Sequence, residues 1–162
     1  MAALLLWLLS AAALLSSSDA TREYDSLPET YKKGVDLAME KVNSHPDIQL
    51  HFLFFQSVEK STFEPGFDVS YINHHFYLKA TRCQKGTVDA SGCQFRRDRA
   101  LIDCMVCYKT YRGEIEQEPE PFTHCIHKPA LTEEMKTTRD EKCKAVGYNS
   151  GSITLLSSTG NQ

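Results

Sequence analysis

The sequence predicts an α+β fold: one N-terminal helix across a curved antiparallel sheet of about four strands, held by three disulfides. Three observations carry this. A long apolar stripe of helical period opens the body of the chain, and three or four β-patterned runs follow it. All six cysteines then lie between Cys83 and Cys143. An even cysteine count behind an apolar leader reads as a disulfide framework formed in an oxidising compartment.

The leader covers residues 1–20, Ala/Leu-rich from Ala2 to Leu15 and ending Ser18-Asp19-Ala20. Small residues at Ser18 and Ala20 suit signal peptidase, so cleavage is expected before Thr21 and the protein is expected to be secreted. The apolar run is too short to span a membrane comfortably. Removing 20 of the 162 residues leaves 142, the size of one domain, expected over 21–144, with a flexible, proteolytically processed tail over 145–162. Thr21–Gln162 keeps all 18 Lys/Arg and 20 of the 21 Asp/Glu, a charge near −2, which argues against nucleic acid as a partner. Trp7, the single tryptophan, leaves with the leader.

The helix is expected over Asp25 to Asn43. Ser26 stands as its cap, Pro28 falls in the first turn, and Glu29 completes a capping box. Tyr31, Val35, Ala38, Met39 and Val42 form the apolar stripe, and Glu29 and Lys33 form an i,i+4 pair. Gly34 lies on the flank of that stripe, where a missing side chain lets a helix sit close on a sheet. His45-Pro46 stops the helix.

Ile48 to Ser61 alternates as a first strand, followed by a turn at Glu64-Pro65-Gly66. Phe67 to Cys83 reads as a second strand whose parity slips, which predicts a bulge near Asn73-His74. Gln84 to Gly92 is a polar loop, and Arg96, Arg97 and Arg99 form a basic knot after it. Ala100 to Arg112 is the third strand, Glu114 to Pro121 a loop, and Phe122 to His127 a short fourth strand. Thr132 to Lys144 is read as a helical turn. His51, His74 and His75 are read as surface or strand-edge residues.

Cys104 and Cys107 stand three apart on a strand and point to opposite faces, so they should not bridge each other. Cys83 and Cys93 close a local loop. Cys125 and Cys143 are then shared between Cys104 and Cys107; Cys104–Cys125 would join adjacent strands, with Cys107–Cys143 tying the post-sheet segment to the outer face. Cys104-x2-Cys107 with His124-x2-His127 also resembles a zinc set. A closed site draws its thiolates from a knuckle turn, however, and here they lie in a strand. Neither metal nor cofactor is expected. No nucleophile elbow, phosphate loop or metalloprotease motif is present, so an enzyme is not expected.

The helix text YKKGVDLAMEKVNSHP, the following IQLHFLFFQSVEKS and the cysteine series resemble the cystatin/cathelicidin superfamily, and within it the chemerin family. The Cys107/Cys143 pair is what separates that family from four-cysteine cathelicidin prodomains. The resemblance implies the pairing Cys83–Cys93, Cys104–Cys125 and Cys107–Cys143. It further implies a secreted, monomeric chemoattractant and adipokine precursor. Extracellular serine proteases trim the tail of such proteins, and the freed end enters a G-protein-coupled chemoattractant receptor in inflammation, chemotaxis and adipose and metabolic regulation.

The tail departs from the family's aromatic-rich ending. Tyr148 is its single aromatic, and Ile153, Leu155 and Leu156 are its apolar anchors, the residues expected to contact a receptor. No Lys or Arg follows Lys144, so trimming is expected from an elastase- or chymase-like cut after Ile153, Leu155 or Leu156. Two other functions fit the superfamily. Cystatin-type protease inhibition needs a Gln-x-Val-x-Gly hairpin, but Gln56-Ser57-Val58-Glu59 is followed by Lys60. Cathelicidin-like antimicrobial host defence needs a cationic amphipathic tail, which this one is not. Arg96, Arg97 and Arg99 could meet a glycosaminoglycan.

Overall fold

The structure, a computed structural model, describes residues 23–148. Helix α1 (Glu29–Ser44) is followed by β1 (Leu50–Gly66), β2 (Val69–Gln84), β3 (Ile102–Tyr111), β4 (Glu114–Ile115) and β5 (Phe122–His127). A 3-10 turn (Lys128–Ala130) leads into a second helix, α2 (Glu133–Tyr148). The strands form one antiparallel sheet in the order β1-β2-β3, with β4 and β5 both pairing on the far side of β3. This is the expected α+β arrangement, with α1 on the inner face. On the outer face lies a second helix where only a turn was expected.

The inner face makes the core because alternation puts one apolar row of each strand there. Val35, Ala38 and Val42 of α1 pack against Phe52, Phe54, Ile72, Phe76, Leu78, Ile102, Val106 and Tyr108. At Gly34 the helix comes close against Tyr108 of β3. A Cβ built there would stand 2.5 Å from the Tyr108 ring, and the Tyr108 hydroxyl donates to the Thr30 carbonyl of the same helix.

Several local expectations are corrected. Ser26 does not cap α1; its hydroxyl donates to the Glu23 carbonyl at 2.8 Å, and Pro28 takes the cap position with extended backbone. A residue before proline resists helical backbone, which delays the helix to Glu29. Lys33 turns away from Glu29 and binds the Gly113 carbonyl and Glu114, each at 2.7 Å, pinning α1 to the β3–β4 turn. The bulge expected on β2 is absent, since Val69 to Leu78 pairs with β3 without a slip. In the β1–β2 ladder three register irregularities put the extra residue on β1, at Phe54/Gln56, Ser57/Glu59 and Phe63/Gly66, and the fourth, opposite Leu50/Phe52, falls on β2 between Ala80 and Gln84.

β1 also runs on to Gly66, so the turn falls at Phe67-Asp68, between the paired Gly66 and Val69. Both turn residues have positive φ, 57° and 59°, the condition for a two-residue hairpin turn whose twist matches the strands. Pro65 is tolerated because β1 is an edge strand. Phe67 carries the steric cost of left-handed backbone, about 1 kcal/mol, while its ring is 94% exposed. Phe67→Asn is therefore expected to raise the thermal midpoint by roughly 4 °C. An unchanged or lower midpoint would show that the ring makes a compensating contact.

Candidate functional site

The outer face of the sheet is where the chain builds its polar chemistry and delivers its C-terminus. Along β3 the outward positions include Asp103 and Cys107, and α2 lies over them. Cys107 bridges Cys143 of α2, Cys104 bridges Cys125 of β5, its direct ladder partner, and Cys83 bridges Cys93. All six cysteines are thus spent in bridges, so Cys104 and Cys107 have no thiolate to offer a metal.

One turn before Cys143, Arg139 is buried to 2% exposure. Its Nη1 donates to Asp103 Oδ1 at 2.5 Å, its Nη2 to the Asp103 carbonyl at 3.0 Å, and its Nε to His124 Nδ1 at 2.8 Å. His75 Nε2 lies 3.0 Å from both Asp103 carboxylate oxygens. Burial raises the Asp103 carboxyl, but the bonds from His75 and Arg139 outweigh it and hold it below its ordinary value. Burial, then Arg139 and Lys41, push His124 down, against the opposing pull of Asp103, which keeps its Nδ1 free to accept. This network was not read from the sequence, and His75 is not the surface residue expected.

His74 is corrected more strongly. It is fully buried on the inner face between Tyr31, Phe54 and Phe76, with Nε2 2.9 Å from Ser57 Oγ. Its Nδ1 has no hydrogen-bond partner among the described residues. Burial, then Lys60 and His75, push its pKa down to about 4. The unfolded chain protonates near 6.5 and the folded one only near 4, so stability is complete above 6.5 and drains away as pH falls between the two. His51 and His124 shift in the same direction. Urea unfolding at pH 4.5 should show about 2 kcal/mol less stability from His74 than at pH 7. His74→Met should flatten that dependence, and an equally steep profile would assign it elsewhere.

The basic knot sits beyond β2. Arg82, Gln94, Phe95, Arg96, Arg97 and Asp98 line an open depression of about 670 Å³. Lys79 adds its charge nearby, 4.3 Å above the Phe55 ring. Arg96 forks onto Asp98 at 2.8 and 2.5 Å, and that bond takes the Asp98 carboxyl down to about 2. One guanidinium of the knot is therefore already engaged.

Of the expected receptor contacts, Tyr148 is the last residue of α2, and Ile153, Leu155 and Leu156 lie outside the described residues. The leader (1–20) does too, as does most of the expected tail (145–162); α2 itself continues four residues past Lys144, with Val146 buried. Gln56-Ser57-Val58-Glu59-Lys60 stands in mid-strand, with Ser57 opposite Phe76 and Lys60 opposite His74. It is not a hairpin tip and cannot enter a protease cleft as an edge. Among the described residues no helix is long and apolar enough to cross a membrane.

No family model matches the chain. A curated human protein, retinoic acid receptor responder protein 2, is 24% identical over 120 residues, covering 74% of this chain and 72% of that protein. The resemblance read from the cysteine series and the helix text thus has a curated counterpart.

Proposed function

We propose that the protein is a secreted chemoattractant and adipokine precursor whose C-terminal tail, once trimmed, activates a G-protein-coupled chemoattractant receptor. The observation that carries this reading is the mounting of α2. A disulfide, a buried ion pair and the buried Val146 hold that helix on the sheet up to the point where the tail begins. The fourteen residues after Tyr148 contain no cysteine and no Lys or Arg, and their apolar side chains cluster at Ile153, Leu155 and Leu156. A rigid body presenting a short apolar-tipped peptide suits insertion into a receptor cavity, because a pre-ordered body adds little conformational ordering cost to binding. A cut after Leu156 by an extracellular elastase- or chymase-like serine protease would remove six polar residues and place a carboxylate beside the anchors. Inflammation, chemotaxis, and adipose differentiation and metabolism are the settings in which such a ligand would act.

The test compares chains ending at Gln162, Leu156 and Tyr148 in a receptor-signalling or chemotaxis assay. The Leu156 form should be at least tenfold more potent than the Gln162 form, and the Tyr148 form silent. Equal potency of all three would place the signal in the disulfide-bonded body. The depression around Arg96 and Arg97 supports a second, weaker partner, a glycosaminoglycan, with Arg99 close in sequence; Lys79 and Arg82 extend the positive surface. Protease inhibition is disfavoured by the mid-strand place of Lys60, and host defence by the uncharged tail.

A further inference from the structure

The three disulfides divide the chain unevenly. Cys83–Cys93 closes before residue 94, while Cys104–Cys125 and Cys107–Cys143 both open after residue 103. A break in the loop after β2 is therefore held by Cys83–Cys93, and one between β3 and β5 by Cys104–Cys125. A break between residues 94 and 103 is held by no bridge. That stretch carries the basic knot, Arg96-Arg97-Asp98-Arg99. Its backbone is tied by the Arg96 N–H to the Ala80 carbonyl at 2.9 Å, and again where the Lys128 N–H meets the Leu101 carbonyl at 2.8 Å. Residues 97–100, between those ties, are all exposed and enter no backbone–backbone hydrogen bond among the described residues.

We propose that this loop is a second processing site, cut after Arg97 or Arg99 by an arginine-directed serine protease into two pieces that no disulfide joins. Water adds across the peptide bond, leaving a carboxylate on the arginine and an ammonium on the next residue. Such a protease needs an accessible, extensible segment and a basic side chain free to enter its acidic specificity pocket. Arg96 is forked onto Asp98, but Arg97 and Arg99 enter no ion pair among the described residues. The competing basic sites are protected by their places in the fold. Lys85 is pinned by its N–H to the Gln49 carbonyl and by Nζ to the Ser44 and His45 carbonyls. Arg112 stands in a tight turn with φ 51° and donates its N–H to the Asp68 carbonyl at 2.8 Å. Lys128 precedes Pro129, which has no amide N–H on the leaving side. The remaining lysines and arginines of residues 23–148 lie in helices or long strands, which must first lose hydrogen bonds to enter a cleft.

The cut leaves the fold standing but changes what holds it. The first piece carries α1, β1 and β2, and the second carries β3, β4, β5 and α2. An unbroken ladder from Val69↔Tyr111 to Leu78↔Ile102, with the packing of α1 on Val106 and Tyr108, keeps the two together. Two unlinked pieces obey mass action, however, so their stability falls on dilution as that of the intact chain does not. On separation the second piece loses α1 and exposes Ile102, Val106 and Tyr108 to water. Where trimming after Leu156 would start the signal, this cut would end it. That consequence rests on the proposed function, whereas the cut itself does not.

The test takes the chain over residues 21–162 under native conditions, with a low ratio of trypsin as the probe. The first cut among the described residues is expected after Arg97 or Arg99 by mass spectrometry, and denaturing gels should show two bands without reductant. Arg97→Gln combined with Arg99→Gln should slow that cut at least tenfold and leave the thermal midpoint unchanged. A first product that stays one band until reductant is added would place the cut inside a bridge and overturn the site. Equal cutting of the variant would overturn it too. The purified nicked protein should have a thermal midpoint that rises with protein concentration, and a midpoint independent of concentration would overturn the two-piece consequence. Protein recovered from body fluid should carry Asp98 or Ala100 as a second N-terminus beside Thr21. Thr21 alone would confine the cut to the reaction in vitro and overturn its processing role. None of these readouts involves the receptor, so their failure leaves the truncation series to judge the tail separately.

Discussion

Arg139→Met is expected to cost about 3–5 kcal/mol of stability, the loss typical of removing one partner from a buried ion pair. Asp103 would keep His75 as a hydrogen-bonding partner but lose its guanidinium, and its carboxylate would remain under α2 with little access to water. His124 Nδ1 and the Asp103 carbonyl would lose their donors at the same time. Desolvating two charges offsets much of their attraction, so the large effect comes from breaking the pair unevenly. That distinction is testable by a double-mutant cycle. Arg139→Met combined with Asp103→Leu removes both charges and should recover at least half of the single-mutant loss in urea unfolding. Hydrogen exchange should place the damage in α2, which Cys107–Cys143 keeps tethered even when undocked. A single-mutant loss under 1 kcal/mol would show that water already reaches Asp103.

α1 and the three long strands could be read from sequence because their buried positions are apolar and recur at the period of the element. Val35, Ala38 and Val42 announce a helix in that way, and Phe52 and Phe54 a strand. α2 could not be, although it is as long as α1. Its buried positions are Arg139 and Val146, with Cys143 in a bridge between them, so its inward face carries a cation, a cystine and one aliphatic residue. The spacing 139, 143, 146 was present in the sequence, and read as a helical stripe it would have shown the helix. Nothing local marked Arg139 as buried, because its partners Asp103 and His124 come from β3 and β5. His74 escaped for a related reason. Reading Phe67, Val69 and Tyr71 as one face required a bulge, but Tyr71 faces outward with Phe63 and the row Ile72, His74, Phe76, Leu78 is continuous. A histidine in an otherwise apolar row was the signal, and it pointed to the core.

Gly34→Ala should be strongly destabilising although it adds one methyl group, because Gly34 alone among the described glycines has no room for a Cβ. Alanine in place of glycine ordinarily stabilises a helix interior by about 1 kcal/mol. Here the added Cβ would sit 2.5 Å from Tyr108 Cε1 and 2.7 Å from its hydroxyl oxygen, well inside contact distance. Tyr108 is fully buried and cannot swing aside without giving up its bond to the Thr30 carbonyl. Losing that bond costs about 1–3 kcal/mol and the overpacking a further 1–3, so the net effect after the helix-propensity gain is about 3 kcal/mol. Tyr108→Leu in the same chain separates the two contributions. It opens space under residue 34, so adding Gly34→Ala to it should be neutral or stabilising, with a coupling energy of about 3 kcal/mol. If Gly34→Ala were tolerated in the parent chain, α1 would have to lift from β3 as a body. The bonds from Lys33 to Gly113 and Glu114, and from Lys41 to the Thr123 carbonyl, would then be lost. Faster hydrogen exchange at the β3–β4 turn would report that movement, so the clash is visible whether the side chain or the helix gives way.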